Sequence, residues 1–340
     1  MARLTRTKNI EKVACAIFDS GQEREAFLCA VEQGARGVTA VAWLIPKPAQ
    51  PGYLSREQVP SWLPPWIDVA AEDERPGTLP EHESGAVYLL DLSSTFAVAP
   101  LAHVECKGGL LVDVCAAPGG KGIVGLRYCE PDVLLGNEVI RKRTAQLIAN
   151  YKRCAIDPAV VTSVDPKLLA RLLGSRANVV IVDAPCSGQS LVLKDRVAPG
   201  AFHPATISMN ERRQRRILAE SSKVVQPGGY LLYSTCTFSP EENERNVAWF
   251  CKTFPDFVAT EVPTLEAYRS QLSDHASYRL FPQQGFGAGG FCCLLRRAGE
   301  LTSADSESWG DICDSIRPVW TSQSVRHDKP KPAMNRSRLR

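Results

Sequence analysis

The sequence predicts a doubly wound α/β fold, a parallel sheet covered by helices on both faces. Two observations carry that prediction. From about residue 108 onward, short runs rich in Val, Ile and Leu recur, apolar at consecutive rather than alternate positions, which is the pattern of strands buried on both faces. Charged segments with helical periodicity lie between them, and strand–helix alternation of this kind builds parallel crossovers.

The runs are GLLVDVC (109–115), DVLLGNE (132–138), PAVVTSVD (158–165), NVVIVDAP (178–185) and GGYLLYSTC (228–236). Helices are expected between them at roughly 119–129, 141–153, 166–173, 207–225 and 240–254. A last pair, YRLFP and GGFCCLLRR, is expected to add an antiparallel hairpin at one sheet edge. Ahead of this core, residues 1–40 read as mostly helical, with REAFLCAVEQ the clearest pattern. Residues 46–85, rich in proline and acid, read as irregular or short-stranded. The expected organisation is an N-terminal α+β extension over 1–100, suited to positioning RNA, a main domain over 101–298, and a segment over 299–340 with a basic tail. No internal repeat is present.

Composition narrows the class. At 340 residues and 44% apolar, the chain is long enough for a large core and too apolar for wholesale disorder. No run of about 18 uncharged apolar residues marks a membrane span. The opening MARLTRTKNIEK is basic but lacks the apolar centre of a secretory signal, while an organelle presequence stays open. The 12 cysteines are scattered, no CxxC pair occurs, and Cys292 adjoins Cys293, so zinc-ligand spacing is absent and no metal is expected. Cys29, Cys129 and Cys251 fall in apolar runs and read as small core residues. The expected compartment is reducing: cytoplasm or nucleolus, with an organelle matrix as the other possibility.

Net charge is only +3, but the positive charge is clumped: RKR at 141–143, RRQRR at 212–216, and a tail with Arg326, Lys329, Lys331, Arg336, Arg338 and Arg340. Such clusters can follow a phosphate backbone. They read equally well as a solvated helix face and a loose tail.

The first strand runs into a small-residue turn and then a helix, LLVDVCAAPGGKG. A phosphate loop fails there twice: Cys115 stands where the first glycine belongs, and Gly122 follows Lys121 in place of a hydroxyl residue. The GxGxxG dinucleotide pattern is absent as well. What remains is Asp113 entering a compact turn, which suits a nucleoside better than a polyphosphate. The second strand ends in Glu138, 25 residues on, about where doubly wound folds hold ribose hydroxyls. The third ends in Asp165 and the fourth in Asp183. Each alone can be a helix N-cap, Asp165 before Pro166 above all. Four acids at one sheet edge fit a cofactor with hydroxyls, an amine and a positive centre, and S-adenosylmethionine has those features.

Two cysteines sit at strand ends, Cys186 in DAPCSG and Cys236 in STCTFSPEENE. With these motifs residues 85–296 resemble the RNA cytosine-carbon-5 methyltransferases, the Sun/RsmB/RsmF-type enzymes. DVCAAPGGK resembles that family's cofactor loop, NEVIRKR its second acidic segment, DAPCSG its fourth motif and STCTFSPEENE its sixth. GAVYLLDLSS is similar to the segment leading into the core, and YRLFPQQGFGAGGF to the closing motif. The resemblance implies a Rossmann-like class I S-adenosylmethionine-dependent methyltransferase domain acting on RNA, with ribosomal RNA favoured over transfer RNA. It implies cofactor contacts at Cys115, Ala116, Ala117, Pro118, Gly119, Gly120, Lys121, Glu138, Arg143, Asp165 and Asp183. It also implies a nucleophile at Cys236 and a product-releasing thiol at Cys186. Gly122, the weakly matching first hundred residues and the missing arginine-asparagine stretch depart from the pattern.

The chemistry explains why two thiols are wanted. Carbon 5 of cytosine is too electron-poor to take a methyl group until a thiolate adds at carbon 6, and cysteine is nucleophilic enough at neutral pH to do so. Cys236 is expected to gain from the positive end of a helix opening at Ser239-Pro240. Asp183 is expected to protonate ring nitrogen 3, and Cys186 to help remove the carbon-5 proton. The target base must be unstacked or single-stranded. Two rivals remain. In a DNA cytosine-carbon-5 methyltransferase the proline-cysteine pair would make Cys186 the attacker. In an RNA-binding ribosome-assembly factor the fold would persist without turnover.

Overall fold

The computed structural model describes residues 4–301, apart from 36, 50, 54, 56–58, 106, 195 and 197, together with residues 316–327. The tail residues Lys329, Lys331, Arg336, Arg338 and Arg340 lie outside the described residues.

All five expected strands of the core form: β4 Leu110–Asp113, β5 Val133–Asn137, β6 Ala159–Thr162, β7 Ala177–Asp183 and β8 Val225–Thr235, counted after three N-terminal strands. They pair in parallel as β6-β5-β4-β7-β8. Their alternate residues feed two separate cores. Leu111, Leu134, Val161, Val179 and Leu232 enter one, and Leu110, Val112, Leu135, Val180 and Leu231 the other. Burial on both faces is why these strands read as unbroken apolar runs.

The expected hairpin forms as β10 (Tyr278–Leu280) and β11 (Gly290–Arg297), with β11 antiparallel to β8. The strand β9 (Phe257–Thr260) also pairs with β11, and β12 (Trp320–Thr321) closes the other side against β6. Successive crossovers leave β4 in opposite directions, so a crevice opens at the carboxyl ends of β4 and β7.

Helices Gly120–Cys129, Arg141–Arg153 and Pro166–Leu173 lie close to their expected ranges. The next, Pro204–Ser221, starts earlier because His203 caps it with Pro204 at its first position, and it stops earlier because Val225 already belongs to β8. The last, Glu244–Thr253, does not open at Ser239-Pro240. Residues 240–243 form turns instead, because the side chains of Glu242 and Asn243 are drawn inward: Glu242 to Ser187, and Asn243 to Thr235 and the Thr237 carbonyl.

The N-terminal residues form helices Lys8–Ile17 and Gly21–Gln33 and a sheet of order β2-β1-β3, with β1 Thr39–Trp43, β2 Ile67–Val69 and β3 Val87–Asp91. Phe27 meets Phe238 edge-on, ring centroids 5.1 Å apart, so these helices brace the loop that follows β8. Cys129 is buried as expected and Cys251 packs partly buried on the second core. Cys29 is not a core residue: it is half-buried and its thiol bonds to Glu25 one helical turn back.

Arg279 and Glu244 form a buried ion pair, and Arg279 Nη1 also donates to the Phe238 carbonyl at 2.9 Å. Truncating Glu244 to Ala strands a buried guanidinium, so urea unfolding should lose about 3–5 kcal/mol. A loss below about 1 kcal/mol would show that the pair contributes no more than a surface bridge.

Candidate active site

The turn after β4 begins the site. Gly119 sits at φ +113°, and a Cβ there would stand 3.0 Å from Leu147 Cδ1, so glycine is required. The turn delivers Lys121 into the first helical turn, where its Nζ meets Asp183 Oδ2 at the end of β7, 2.7 Å away. Ser234 on β8 donates to the other oxygen, Oδ1, at 3.0 Å. Burial works against the Lys121 charge, but Asp183 outweighs it and holds the ammonium pKa above its ordinary value.

The two strand-end cysteines meet. Cys186 Sγ and Cys236 Sγ are 3.2 Å apart. They are not equivalent. The hydrogen bond from Cys186 lowers the pKa of Cys236, against the effect of burial, and Lys121 and Lys194 add to the lowering. Cys186 is pushed well up, first by that same hydrogen bond, then by burial, with the charge of Glu242 contributing. The unlike neighbours thus favour Cys186 as the holder of the proton in their contact and Cys236 as the sulfur that gives up its proton more readily. Lys194 is held near by Asp91 at the end of β3, 2.9 Å away.

Beside these groups lies a cleft of about 530 Å³. Cys115, Glu138, Arg143 and Asp165 line it with the apolar surfaces of Val139, Ile140, Pro166, Pro185 and Ile217. Glu138 is buried; its Oε1 accepts from the Ile140 amide at 2.9 Å. Its Oε2 lies 3.0 Å from Arg143 Nη1 but makes no hydrogen bond. Arg143 also reaches the Ala117 carbonyl, tying the second helix to the glycine turn. Burial pushes the Cys115 thiol up, so it lines the cleft as a neutral group. Asp165 is there too, but its Oδ1 accepts from the Lys167 amide at 2.9 Å, so its N-cap role is real. Ala116, Ala117, Pro118, Gly119 and Gly120 form the turn itself, with Ala116 and Ala117 buried.

Of the four acids expected at this edge, Glu138 and Asp165 line the cleft, Asp183 is turned to Lys121 and Ser234, and Asp113 is buried away from it. Asp113 is 1% exposed, and neither oxygen makes a well-formed hydrogen bond, although the Cys115 and Gly122 amides point toward it. Burial, with the nearby charge of Asp183, raises its pKa to about 7. Gly122 has a local reason: a Cβ would stand 3.1 Å from Asp113 Oδ2 and 3.3 Å from the Tyr151 hydroxyl, crowding both.

Sequence reasoning missed several residues. Arg213 and Arg216 of the RRQRR run line the cleft, while Arg215 bonds to Asn246 and lies over Trp249. Glu242, wholly buried, accepts from Gln214 and from Ser187, the residue after Cys186. Its motif, SPEENE, looks like a solvated helix start, and nothing in the order of charges marks which one turns inward. Among the described residues no group of three or more metal-ligating side chains gathers, and no helix is long and apolar enough to cross a membrane.

Comparison with known proteins adds the following. The family described as 16S rRNA methyltransferase RsmB/F matches residues 102–296. A ribosomal RNA small subunit methyltransferase F of Pectobacterium atrosepticum is 29% identical over 263 residues, 74% of this chain and 53% of that protein. The protein of the same name from Escherichia coli O139:H28 is 32% identical over 237 residues, 68% of this chain and 49% of that one. The chain thus spans about half the length of the curated relatives it matches. A methyltransferase homologue of Pyrococcus horikoshii superposes with a TM-score of 0.69 at 20% identity, covering 86% of this chain and 95% of that one. The fold is thereby the Rossmann-like fold of class I methyltransferases, with a small N-terminal extension.

Two measurements probe the electrostatics. Replacing Lys121 with Met removes a cation that favours the Cys236 thiolate, so alkylation of Cys236 at pH 7 should slow several-fold; an unchanged rate would remove Lys121 from that role. Asp113 binds its proton more tightly folded than its ordinary value of 3.8, so its contribution to stability is complete below that pH and is lost as pH rises to about 7. The urea midpoint of Asp113→Asn should therefore vary less between pH 4 and 7 than that of the wild type. Equal slopes would contradict the shift.

Proposed function

This chain belongs to the 16S rRNA methyltransferase RsmB/F family, and from that membership we propose that it methylates carbon 5 of cytosine in RNA, ribosomal RNA foremost, with S-adenosylmethionine as methyl donor. The observation that carries the proposal is the contact of Cys186 with Cys236, 3.2 Å apart at the strand ends beside the Lys121–Asp183 pair. Its relatives are named as ribosomal RNA small subunit methyltransferases, which favours ribosomal RNA as the substrate.

The cleft suits the donor. Glu138 Oε2 is buried without a hydrogen bond, ready to accept from the ribose hydroxyls, and Ile140, Pro166 and Pro185 offer apolar surface to a purine ring. S-adenosylmethionine supplies, when bound, a methyl group made electrophilic by a positively charged sulfur.

The residues then divide the work on cytosine. The Cys236 thiolate adds to carbon 6, and the electrons pushed into the ring collect toward nitrogen 3. Asp183 accepts from the Lys121 ammonium at 2.7 Å and relays a proton from it to nitrogen 3, leaving Lys121 neutral until that proton returns. Carbon 5 is now nucleophilic and becomes methylated. Forming the adduct also changes Cys186: the hydrogen bond to an anionic sulfur, the largest cause of its raised pKa, is gone. Cys186 can then release its own proton to solvent and, as thiolate, take the one on carbon 5, directly or through a water. Cys236 leaves as thiolate, and nitrogen 3 returns its proton through Asp183 to Lys121. The charge asymmetry of the pair argues against a Cys186 attacker, and so against the DNA-type reading.

The test is transfer of labelled methyl groups to small-subunit ribosomal RNA, with a denaturing gel for protein–RNA adducts. Cys236→Ala should lose transfer by on the order of 10³-fold or more and form no adduct. Cys186→Ala should accumulate the adduct and turn over poorly. Wild-type protein that labels no cytosine and forms no adduct would favour the assembly-factor reading instead.

A further inference from the structure

Glu242 is 0% exposed, in the turn between β8 and helix Glu244–Thr253. Its Oε2 accepts from the Ser187 amide at 2.9 Å and from Gln214 Nε2 at 2.8 Å. Its Oε1 accepts from the Ser187 hydroxyl at 2.5 Å and the Thr237 hydroxyl at 3.3 Å, and those two hydroxyls are 2.7 Å apart. Gln214 Nε2 also donates to the Pro185 carbonyl at 3.0 Å. One carboxylate thus gathers the residues on both sides of Cys186 and the residue that follows Cys236. A buried charge is costly unless its lone pairs are used, and here Oε2 has two N–H donors while the hydroxyls of Ser187 and Thr237, bonded to each other, serve Oε1. Burial pushes the pKa of Glu242 up, and these donors oppose that rise.

We propose that Glu242 is a positioning residue for the cysteine pair: it clamps the Pro-Cys-Ser loop to the Thr-Cys-Thr strand end and keeps the two sulfurs in contact. The clamp acts through Ser187 and Thr237 and touches neither sulfur. Its charge disfavours a second anion at Cys186, while Lys121 and Lys194 favour one at Cys236 and Asp183 opposes it there. The significance for catalysis rests on the two-cysteine reading above; the clamp itself does not.

The test uses the full chain without RNA. Cys186 and Cys236 are alkylated with iodoacetamide at pH 7, and the rate at each site is read by peptide mass spectrometry. In the wild type Cys236 should react faster. Glu242→Gln keeps the shape but turns an amide toward donors that need an acceptor. It should narrow the ratio of the two rates by about tenfold and lower kcat for methyl transfer while KM for RNA and the affinity for S-adenosylmethionine hold. A folded Glu242→Gln protein with the wild-type ratio overturns the proposal. If that variant does not fold, Ser187→Ala, which deletes one hydroxyl of the clamp and leaves the carboxylate, decides by the same ratio. A narrowed ratio in a protein whose wild type transfers no methyl keeps the clamp and rejects the enzymatic reading. A wild-type ratio in an active enzyme does the reverse.

Discussion

In the parallel pairing of β7 with β8, Asp183 lies opposite Ser234, and the site depends on that register. Cys186 follows three residues after the first and Cys236 two residues after the second, so the pairing alone brings both cysteines to the same end of the sheet. Side chains alternate along a strand with a period of two. A slip of one residue would turn Asp183 away from Ser234 and exchange the residues of β8 between the two cores. Val180 and Val182 on β7, with Leu231 and Tyr233 on β8, pack in one core and thereby lock the register. The geometry of the cysteine pair is inherited here from hydrophobic packing.

On that base the charges are sorted. Lys121 comes from the turn after β4 and Lys194 from the loop after Cys186, where Asp91 of the N-terminal sheet holds it. Glu242 sits on the other side of the pair, bonded to Ser187. Two identical thiols thus acquire different proton affinities from unlike neighbours, and low local dielectric magnifies the difference. The N-terminal helices take part mechanically, since Phe27 packs on Phe238, two residues beyond Cys236. The extension therefore supports the loop that carries Cys236.

Much of the fold was legible in the chain. Strands buried on both faces must be apolar at every position, so 109–115, 132–138 and 178–185 announced themselves. Three helices were readable from periodicity and flanking signals, as with Asp165 before Pro166. The helix at Glu244 was misread because Pro240 and the acids after it are ordinary helix-start signals, and only the inward pull of Glu242 and Asn243 delays it. Asp113 looked like its three companions at the strand ends, yet it points beneath the turn toward Gly122 and Tyr151.

What the sequence determined by itself is the order of apolar runs, the doubly wound sheet, and the motifs that bring Cys186, Cys236, Lys121 and Asp183 to one edge. These are local and periodic properties, written in which residues follow which. Only the tertiary structure decided which acids face the cleft, which arginines of RRQRR line it, and which cysteine gives up its proton more readily. Such outcomes depend on partners dozens of residues away: Glu242 on Ser187 and Gln214, Lys194 on Asp91. A proton's preference between two sulfurs is set by the field of folded neighbours, and a linear chain does not contain that field.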